Sequence, residues 1–134
     1  MLNNKFGFSI VFLLSFQILF CQELPPIVKY TPSSYGAGNQ NWMISQDKND
    51  FIYFANNEGL LEYNGTTWSL YPSPNETIIR SVNVIDNRIY TGCYMEFGYW
   101  IRQSNGQLKY TSLSKSLKDK IQDDEQFWNI LNYD

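Results

Sequence analysis

The chain has 134 residues, with 10 Lys and Arg against 13 Asp and Glu, and it contains no histidine. The missing histidine excludes Ser-His-Asp and Cys-His nucleophile pairs, imidazole bases and His-ligated zinc sites. The net charge of −3 argues against a nucleic-acid-binding surface, which needs clustered cations, and the length allows one domain at most.

The first 22 residues have the pattern of an export signal. Lys5 precedes an uncharged, mostly apolar run over residues 6–20, and the small residue Cys21 follows that run. This order is typical of secretory signals, and the run of 15 residues is shorter than the ~20 that cross a bilayer as a helix. We therefore predict a signal peptide over residues 1–22 and an exported, periplasmic protein. An uncleaved N-terminal anchor is the alternative.

Two cysteines need separate interpretations. Cys21 is a candidate lipoprotein cysteine, but the bulky Phe20 before it fits a lipidation site poorly, so we favour simple cleavage beside Cys21 or Gln22. The exact bond stays open. Cleavage leaves Cys93 without a disulfide partner, although the exported compartment would permit one. We interpret Cys93, which lies in a strand-like run, as a small buried hydrophobic residue.

The chain after residue 40 alternates short apolar runs with turn residues at a period of two, which predicts β-strands. Strands are predicted over residues 41–45, 51–55, 59–63, 67–71, 81–85, 88–92, 97–102 and 107–113. The dipeptide Asn64-Gly65 predicts a type I′ hairpin turn, and Asn105-Gly106 is another turn of this composition. Because the connections are too short for crossover helices, the strands must pair antiparallel.

The strand pattern repeats after about 40 residues. Ile52-Tyr53 aligns with Ile89-Tyr90 at an offset of 37, and Gly59 aligns with Gly98 at an offset of 39. A third copy begins at residues 127–131. Four short strands per unit of this length are typical of β-propeller blades. A free-standing antiparallel sandwich is the alternative.

The repeat predicts an all-β fold and a division of the chain. We predict an N-terminal extended segment at 23–40 and a partial β-propeller at 41–134, with repeat units at 41–72, 79–113 and 127–134. A linker covers residues 114–126. Its apolar residues are spaced four apart, so a short helix capped by Ser114 or Ser116 is possible, but its mixed charges favour a solvated loop.

Residues 41–72 resemble the repeat of the bacterial two-component regulator propellers. The shared elements are an aspartate turn, an Ile-Tyr strand, a turn ending in Gly-Leu, a Tyr-Asn-Gly turn and two closing aromatic residues. Here these are residues 47–50, 52–54, 57–60 and 63–65, with Trp68 and Tyr71. The second unit departs from the pattern at residues 93–97 and 104–106. The opening residues 23–42 are similar to the start of large exported sensor-regulators of the Bacteroidetes group.

The resemblance implies a periplasmic propeller array, followed downstream by a triple-tyrosine domain, a membrane helix and a histidine kinase or LuxR-type output. It implies that this chain is a non-enzymatic sensor module, tethered to the inner membrane in the full-length protein and serving signal transduction and transcription regulation. The implied partners are the remaining blades and a carbohydrate or other extracellular ligand. Membrane contact would come only through a downstream segment or an uncleaved signal.

Two other interpretations stay open. The chain is alternatively a fragment of a secreted propeller enzyme or adhesin whose active residues lie downstream, or a complete small secreted protein. Because a blade cannot bury both faces without neighbours, we expect fewer than three repeats to dissolve poorly or to self-associate.

No catalytic, cofactor or metal site is expected from the residue types. The carboxylates at positions 47, 50, 119 and 123–125 lie in turns or loops, where solvation explains them. The 47–50 turn lacks the glycine and the distal glutamate of a calcium loop. Trp42, Trp68 and Trp128 recur with the strands, so we interpret them as packing between sheets.

The candidate ligand-binding residues lie where the second unit breaks the repeat. They are Tyr94, Met95, Glu96 and Phe97, with Trp100 as an aromatic ring that stacks on sugars. Loops at the end of a sheet carry function more often than strands do. These five residues are the predicted binding site.

Overall fold

A computed structural model describes residues 24–133 of the chain. Eight strands form two four-stranded antiparallel sheets, each a simple meander in chain order. The first sheet contains β1 (Asn41–Gln46), β2 (Ile52–Asn56), β3 (Gly59–Tyr63) and β4 (Trp68–Pro72). The second contains β5 (Ser81–Ile85), β6 (Arg88–Gly92), β7 (Phe97–Arg102) and β8 (Leu108–Ser112). The prediction of an all-β fold is confirmed, and the signal peptide predicted over residues 1–22 lies outside the described residues.

The segment predicted as extended contains one helical turn, α1 (Pro32–Tyr35). Proline is well suited to the first position of a helix because its φ is already helical. Gly36 ends the turn in the left-handed conformation, at φ 66°, and its N–H donates to the Pro32 carbonyl at 2.8 Å. Within residues 24–133 no helix is both long and apolar enough to cross a bilayer.

Part of the predicted linker is a short helix rather than a loop, although most of its side chains are exposed, as its charges favoured. A 3-10 helix covers Ser114–Lys120, and Ser114 at its start is buried. The Ser114 hydroxyl donates to the Glu96 carboxylate at 2.6 Å. This contact ties the linker to the turn between β6 and β7, which a sequence pattern does not reveal.

The two Asn-Gly turns differ from the tight type I′ turn predicted at Asn64-Gly65. A type I′ turn needs positive φ at both central residues, whereas only the glycines, Gly65 and Gly106, have positive φ, at 91° and 84°. The Asn64 side-chain oxygen accepts the N–H groups of Thr66 and Thr67 at 2.9 and 2.8 Å. Asparagine thus organises a wider turn through its side chain.

Because each sheet is a meander, its turns alternate between two ends. The end where the chain crosses from the first sheet to the second is called the connection end. It contains the β2–β3 turn, residues 73–80, the β6–β7 turn and residues 113–126. The opposite end, called the hairpin end, contains the β1–β2, β3–β4, β5–β6 and β7–β8 turns.

The core lies between the two sheets. Alternate residues of the strands point into it, as the period of two requires. β1 lies beside β5, and the Val84 N–H donates to the Ser45 hydroxyl at 3.0 Å. The buried cluster contains Tyr53, Ala55, Leu60, Ile79, Val82, Ile89, Trp100 and Leu108.

The predicted alignment of the first two units is wrong by one residue at β2 and β6. Tyr53 and Ile89 are the buried residues at the second position of these strands, whereas Tyr90 is only half-buried on the other face. The structural offset is therefore 36 residues. A shift of one residue exchanges the two faces of a strand, so the shared Ile-Tyr letters align residues that face opposite ways.

The start of the predicted third unit lies against the second sheet but forms no strand within the described residues. The Phe127 carbonyl accepts the Ser81 hydroxyl at 2.7 Å, and the Ile130 carbonyl accepts the Asn83 amide at 3.0 Å. The Phe97 and Phe127 rings are 4.7 Å apart. This segment follows β5 on the face opposite the first sheet.

Candidate functional site

A cleft of about 280 Å³ opens at the connection end. It combines side chains from both sheets and from the segments that join them. This connection-end cleft is lined by Asn57, Glu76, Thr77, Ile78, Arg80, Tyr94 and Gln126. Loops held at the end of a rigid sheet are where binding residues concentrate.

Arg80 is the best-fixed side chain of the cleft. The backbone N–H of Arg80 donates to the Gly92 carbonyl at 2.8 Å, and its side-chain Nε donates to the Gln126 side-chain oxygen at 3.0 Å. Its guanidinium lies 4.2 Å from the ring centre of Trp42 and 4.7 Å from that of Trp128. Guanidinium groups bind aromatic faces in this way by cation–π attraction, so a cation is held in place at the edge of the cleft.

The two tryptophans beside Arg80 contradict the prediction that they pack in the interior. Trp42 is 38% exposed and Trp128 is 53% exposed, with their ring centres 5.7 Å apart. The Trp42 indole N–H donates to the Asn57 side chain at 2.8 Å, which connects the pair to the cleft. Trp68 stacks on Tyr63 of its own sheet at 4.4 Å and lies 5.1 Å from the ring of Tyr30 in the N-terminal segment, so it does not pack between the two sheets either. Trp42 and Trp128 occupy the same position in their units, but the repeat indicated packing between sheets and did not predict this site.

Two residues around the cleft have a backbone conformation that long side chains seldom adopt. Glu76 and Met95 have φ values of 58° and 54°. Apart from glycine, mainly Asn and Asp tolerate this left-handed region. Strained residues cluster at binding sites, where the surrounding structure holds them in place.

Of the five predicted binding residues, Tyr94 lines the cleft. It is 39% exposed, and its carbonyl accepts the Asn75 amide at 2.7 Å. Its neighbour Met95 accepts the Glu125 N–H at its sulfur, at 3.2 Å. The β6–β7 turn is therefore fixed to the connections on either side of it.

The other three predicted residues have structural contacts. The Glu96 carboxylate accepts the Tyr110 and Ser114 hydroxyls at 2.8 and 2.6 Å. Burial raises the pKa of Tyr110, and its hydrogen bond to Glu96 raises it further. Phe97 packs on Phe127.

Trp100, the fifth candidate, is 5% exposed. Its indole N–H donates to the Thr91 hydroxyl at 2.9 Å. A buried ring with a satisfied donor belongs to the core, so the structure does not bring the five residues to one surface. Four lining residues were not predicted from the sequence: Asn57, Glu76, Arg80 and Gln126. What they share is that all of them lie in connections at the same end of the sheets as Tyr94.

A second, smaller cavity of about 150 Å³ lies at the hairpin end. Arg102 of β7 forms an ion pair there with Glu62 of β3, and it donates to the Tyr53 hydroxyl at 3.0 Å. That hydroxyl donates to Asp47 at 3.2 Å, and burial is the main cause that raises the pKa of Tyr53. These contacts hold the two sheets together.

The 47–50 turn is closed by hydrogen bonds to the Asp47 carboxylate. Asp47 accepts the N–H groups of Asn49 and Phe51 at 2.8 and 3.0 Å. Among residues 24–133 no group of three or more His, Cys, Asp and Glu side chains is placed to hold a metal ion. The hairpin end is interpreted as a structural contact between sheets because Arg102 of one sheet binds Glu62 and Tyr53 of the other there.

Comparison with protein-family models, with curated proteins and with solved structures finds no match to this chain. The connection-end cleft combines a fixed cation, one carboxylate, amide and hydroxyl groups and an exposed aromatic ring. Such a set offers both hydrogen-bond donors and acceptors, together with an apolar face. It suits a polar organic ligand of modest size.

Proposed function

We propose that the chain is a non-enzymatic recognition module of an exported sensor, the N-terminal blades of a propeller of the two-component regulator type. One observation carries the proposal. Two four-stranded antiparallel sheets follow each other in the chain, pack face to face with β1 beside β5, and join their connections around one cleft.

This arrangement is the one expected of neighbouring propeller blades. In a propeller, meandering four-stranded sheets are arranged radially around a channel. β1 and β5 would be the innermost strands of two blades, and residues 127–131, which follow β5 on its other face, would begin the third. Each blade buries its faces against its neighbours, as the core between the two sheets does here.

The side chains of the connection-end cleft favour recognition over catalysis. Glu76 is the one carboxylate among its lining residues, whereas hydrolysis of a glycosidic bond normally uses two. Aromatic rings and planar amides, such as those of Tyr94, Asn57 and Gln126, offer a stacking face and hydrogen-bond pairs. A carbohydrate fits this set, in agreement with the ligand that the family resemblance implies.

The family resemblance supplies the rest of the proposal. A periplasmic sensor tethered to the inner membrane would bind its cue at the connection end and pass the change to a downstream output. Signal transduction and transcription regulation are then properties of the full-length protein, in which the remaining blades are the partners of this segment.

Binding to a printed array of defined oligosaccharides, with chromatography of each bound sugar after incubation, tests the function. We expect binding to at least one sugar, its recovery intact, and loss of binding in Tyr94→Ala. Tyr133→Ala is the matched control because Tyr133 is 98% exposed and does not line the cleft. Shortened products would contradict a recognition role and favour a secreted enzyme, and no binding to any sugar would reject a carbohydrate sensor.

A further inference from the structure

We propose that the connection-end cleft binds a hydroxylated acid, a saccharide that carries a carboxylate, and that Arg80 binds the carboxylate. This inference rests on the proposed function and specifies the chemical class of its ligand. It is carried by two opposite charges that line one cleft without pairing with each other.

The guanidinium of Arg80 is oriented but not neutralised. Its Nε donates to Gln126, and among the described residues neither Nη atom has a hydrogen-bond partner in the structure. The ion pair found among these residues is Arg102 with Glu62, at the other end of the molecule. A guanidinium presents a planar fork that matches the two oxygens of a carboxylate.

Two tryptophans hold the Arg80 guanidinium in a fixed orientation. Trp42 and Trp128 lie within 4.2 and 4.7 Å of the Arg80 guanidinium and restrict its plane. A side chain that is already ordered loses less conformational entropy when it binds a ligand. Arg80 is therefore prepared to bind an anion at small entropic cost.

Glu76 explains why the ligand should carry hydroxyl groups as well as a charge. It lines the same cleft and repels a bare anion, whereas sugar hydroxyls donate to a carboxylate. Asn57 and Gln126 accept and donate in the same space. A neutral sugar would donate to Glu76 but leave Arg80 without a carboxylate. A small inorganic anion would bind Arg80 but offer Glu76 no hydroxyl group.

The size and apolar part of the cleft fit a short saccharide. Its volume of about 280 Å³ is close to the lower limit of ordinary ligand sites, about 300 Å³. The exposed ring of Tyr94 offers one face for stacking. These dimensions suit a ligand of one or two sugar rings at the cleft itself.

Calorimetry of the protein with α-1,4-digalacturonic acid and with its carboxyl-reduced counterpart tests the inference. We expect the acid to bind at least about tenfold more tightly, because a hydrogen bond between charged groups is about twice as strong as one between neutral groups. Its affinity should fall as salt is raised, since screening weakens exposed charge pairs. The affinity of the reduced sugar should stay constant.

Variants assign the preference to one residue. Arg80→Gln should remove the preference for the acid, and Arg80→Lys should retain part of it, because lysine keeps the charge but not the fork. Arg88→Gln is the matched control. Arg88 also stacks on an aromatic ring, that of Tyr99 at 4.6 Å, but lies at the hairpin end.

The outcomes separate this inference from the proposed function. Equal affinity for the acid and the reduced sugar overturns the inference and leaves a carbohydrate sensor standing. Binding of neither sugar also overturns it, while the oligosaccharide array decides the proposed function independently. If Arg80→Gln fails to fold by circular dichroism, the comparison of the two sugars on the unmodified chain decides the matter.

Discussion

At the scale of single residues, the contact between Arg102 and Glu62 shows how the two sheets are held together. Glu62 lies on β3 with its side chain 5% exposed, and Arg102 reaches it from β7 of the other sheet. Arg102 also lies 4.5 Å from the ring centre of Phe51. The Glu62 carboxylate is the buried partner and the Arg102 side chain is 32% exposed, so it is Glu62 that needs the ion pair, because a buried charge without a partner is costly.

We predict that Arg102→Met destabilises the fold by about 3 kcal/mol, because it leaves the Glu62 carboxylate buried without a partner. The double variant Arg102→Met with Glu62→Leu should recover most of this loss. Urea unfolding measures both. Arg88→Met serves as the control and should leave the midpoint unchanged, and equal midpoints for Arg102→Met and Arg88→Met would disprove the role of the ion pair.

The buried thiol of Cys93 should make the stability of the fold depend on pH in the alkaline range. Cys93 is buried, as the sequence predicted, and its thiol donates to the Glu96 carbonyl at 3.2 Å. Burial is the main cause that raises the pKa of Cys93 from 9.0 to about 11. The unfolded chain therefore loses this proton before the folded chain does.

The Cys93 thiol should therefore contribute its full share to the free energy of unfolding below pH 9. Between pH 9 and about 11 the free energy of unfolding should fall by about 2 kcal/mol because of this one group. Unfolding of the unmodified chain and of Cys93→Ala across this range measures the effect as a difference in slope. Tyrosine ionisation is common to both proteins and cancels. Parallel curves would contradict a protonated, buried thiol.

At the scale of elements, the strands could be predicted from sequence because each carries its own period of two between turn residues. The close approach of neighbouring chain segments to Gly59 and Gly92 could not be predicted from the sequence. A side chain at Gly59 would lie 2.2 Å from the Tyr71 carbonyl oxygen, a contact with the neighbouring strand. The register error at Tyr53 and Ile89 has the same origin, because residue letters do not reveal which face a neighbouring strand or sheet will cover.

We predict that Gly92→Ala displaces the segment that begins at Phe127. A methyl group at position 92 would lie 2.6 Å from the Phe127 Cβ and 2.6 Å from the Ser81 hydroxyl. Hydrogen exchange of residues 127–131 should become faster while that of β2 and β3 is unchanged. Gly65→Ala is the control for backbone strain without a steric clash, because Gly65 has a φ of 91° but a new Cβ there meets no atom within 4 Å. Exchange of residues 127–131 should not change in this variant. Unchanged exchange in Gly92→Ala would show that the segment is not held there.

At the scale of the whole molecule, the connection-end cleft depends on parts that no single motif contains. Arg80, Tyr94 and Gln126 lie in different connections, and they meet because two meanders place their connections at the same end. Tyr94 could be placed at one end of the second sheet from the sequence. The sequence could not show that Trp42 and Trp128 lie at that end, exposed, in edge-to-face contact with each other and both beside Arg80. Non-local juxtaposition follows from packing, and packing depends on the whole chain.

The most direct test of the account is a titration of the four indole N–H signals in a ¹H–¹⁵N spectrum of the protein with α-1,4-digalacturonic acid. The signals of Trp42 and Trp128 should shift, because these rings lie beside Arg80 at the cleft. Those of Trp68 and Trp100 should stay in place, since Trp68 stacks on Tyr63 away from the cleft and Trp100 is buried in the core. No shift at any tryptophan, or shifts confined to Trp68 and Trp100, would contradict a recognition site at the connection end.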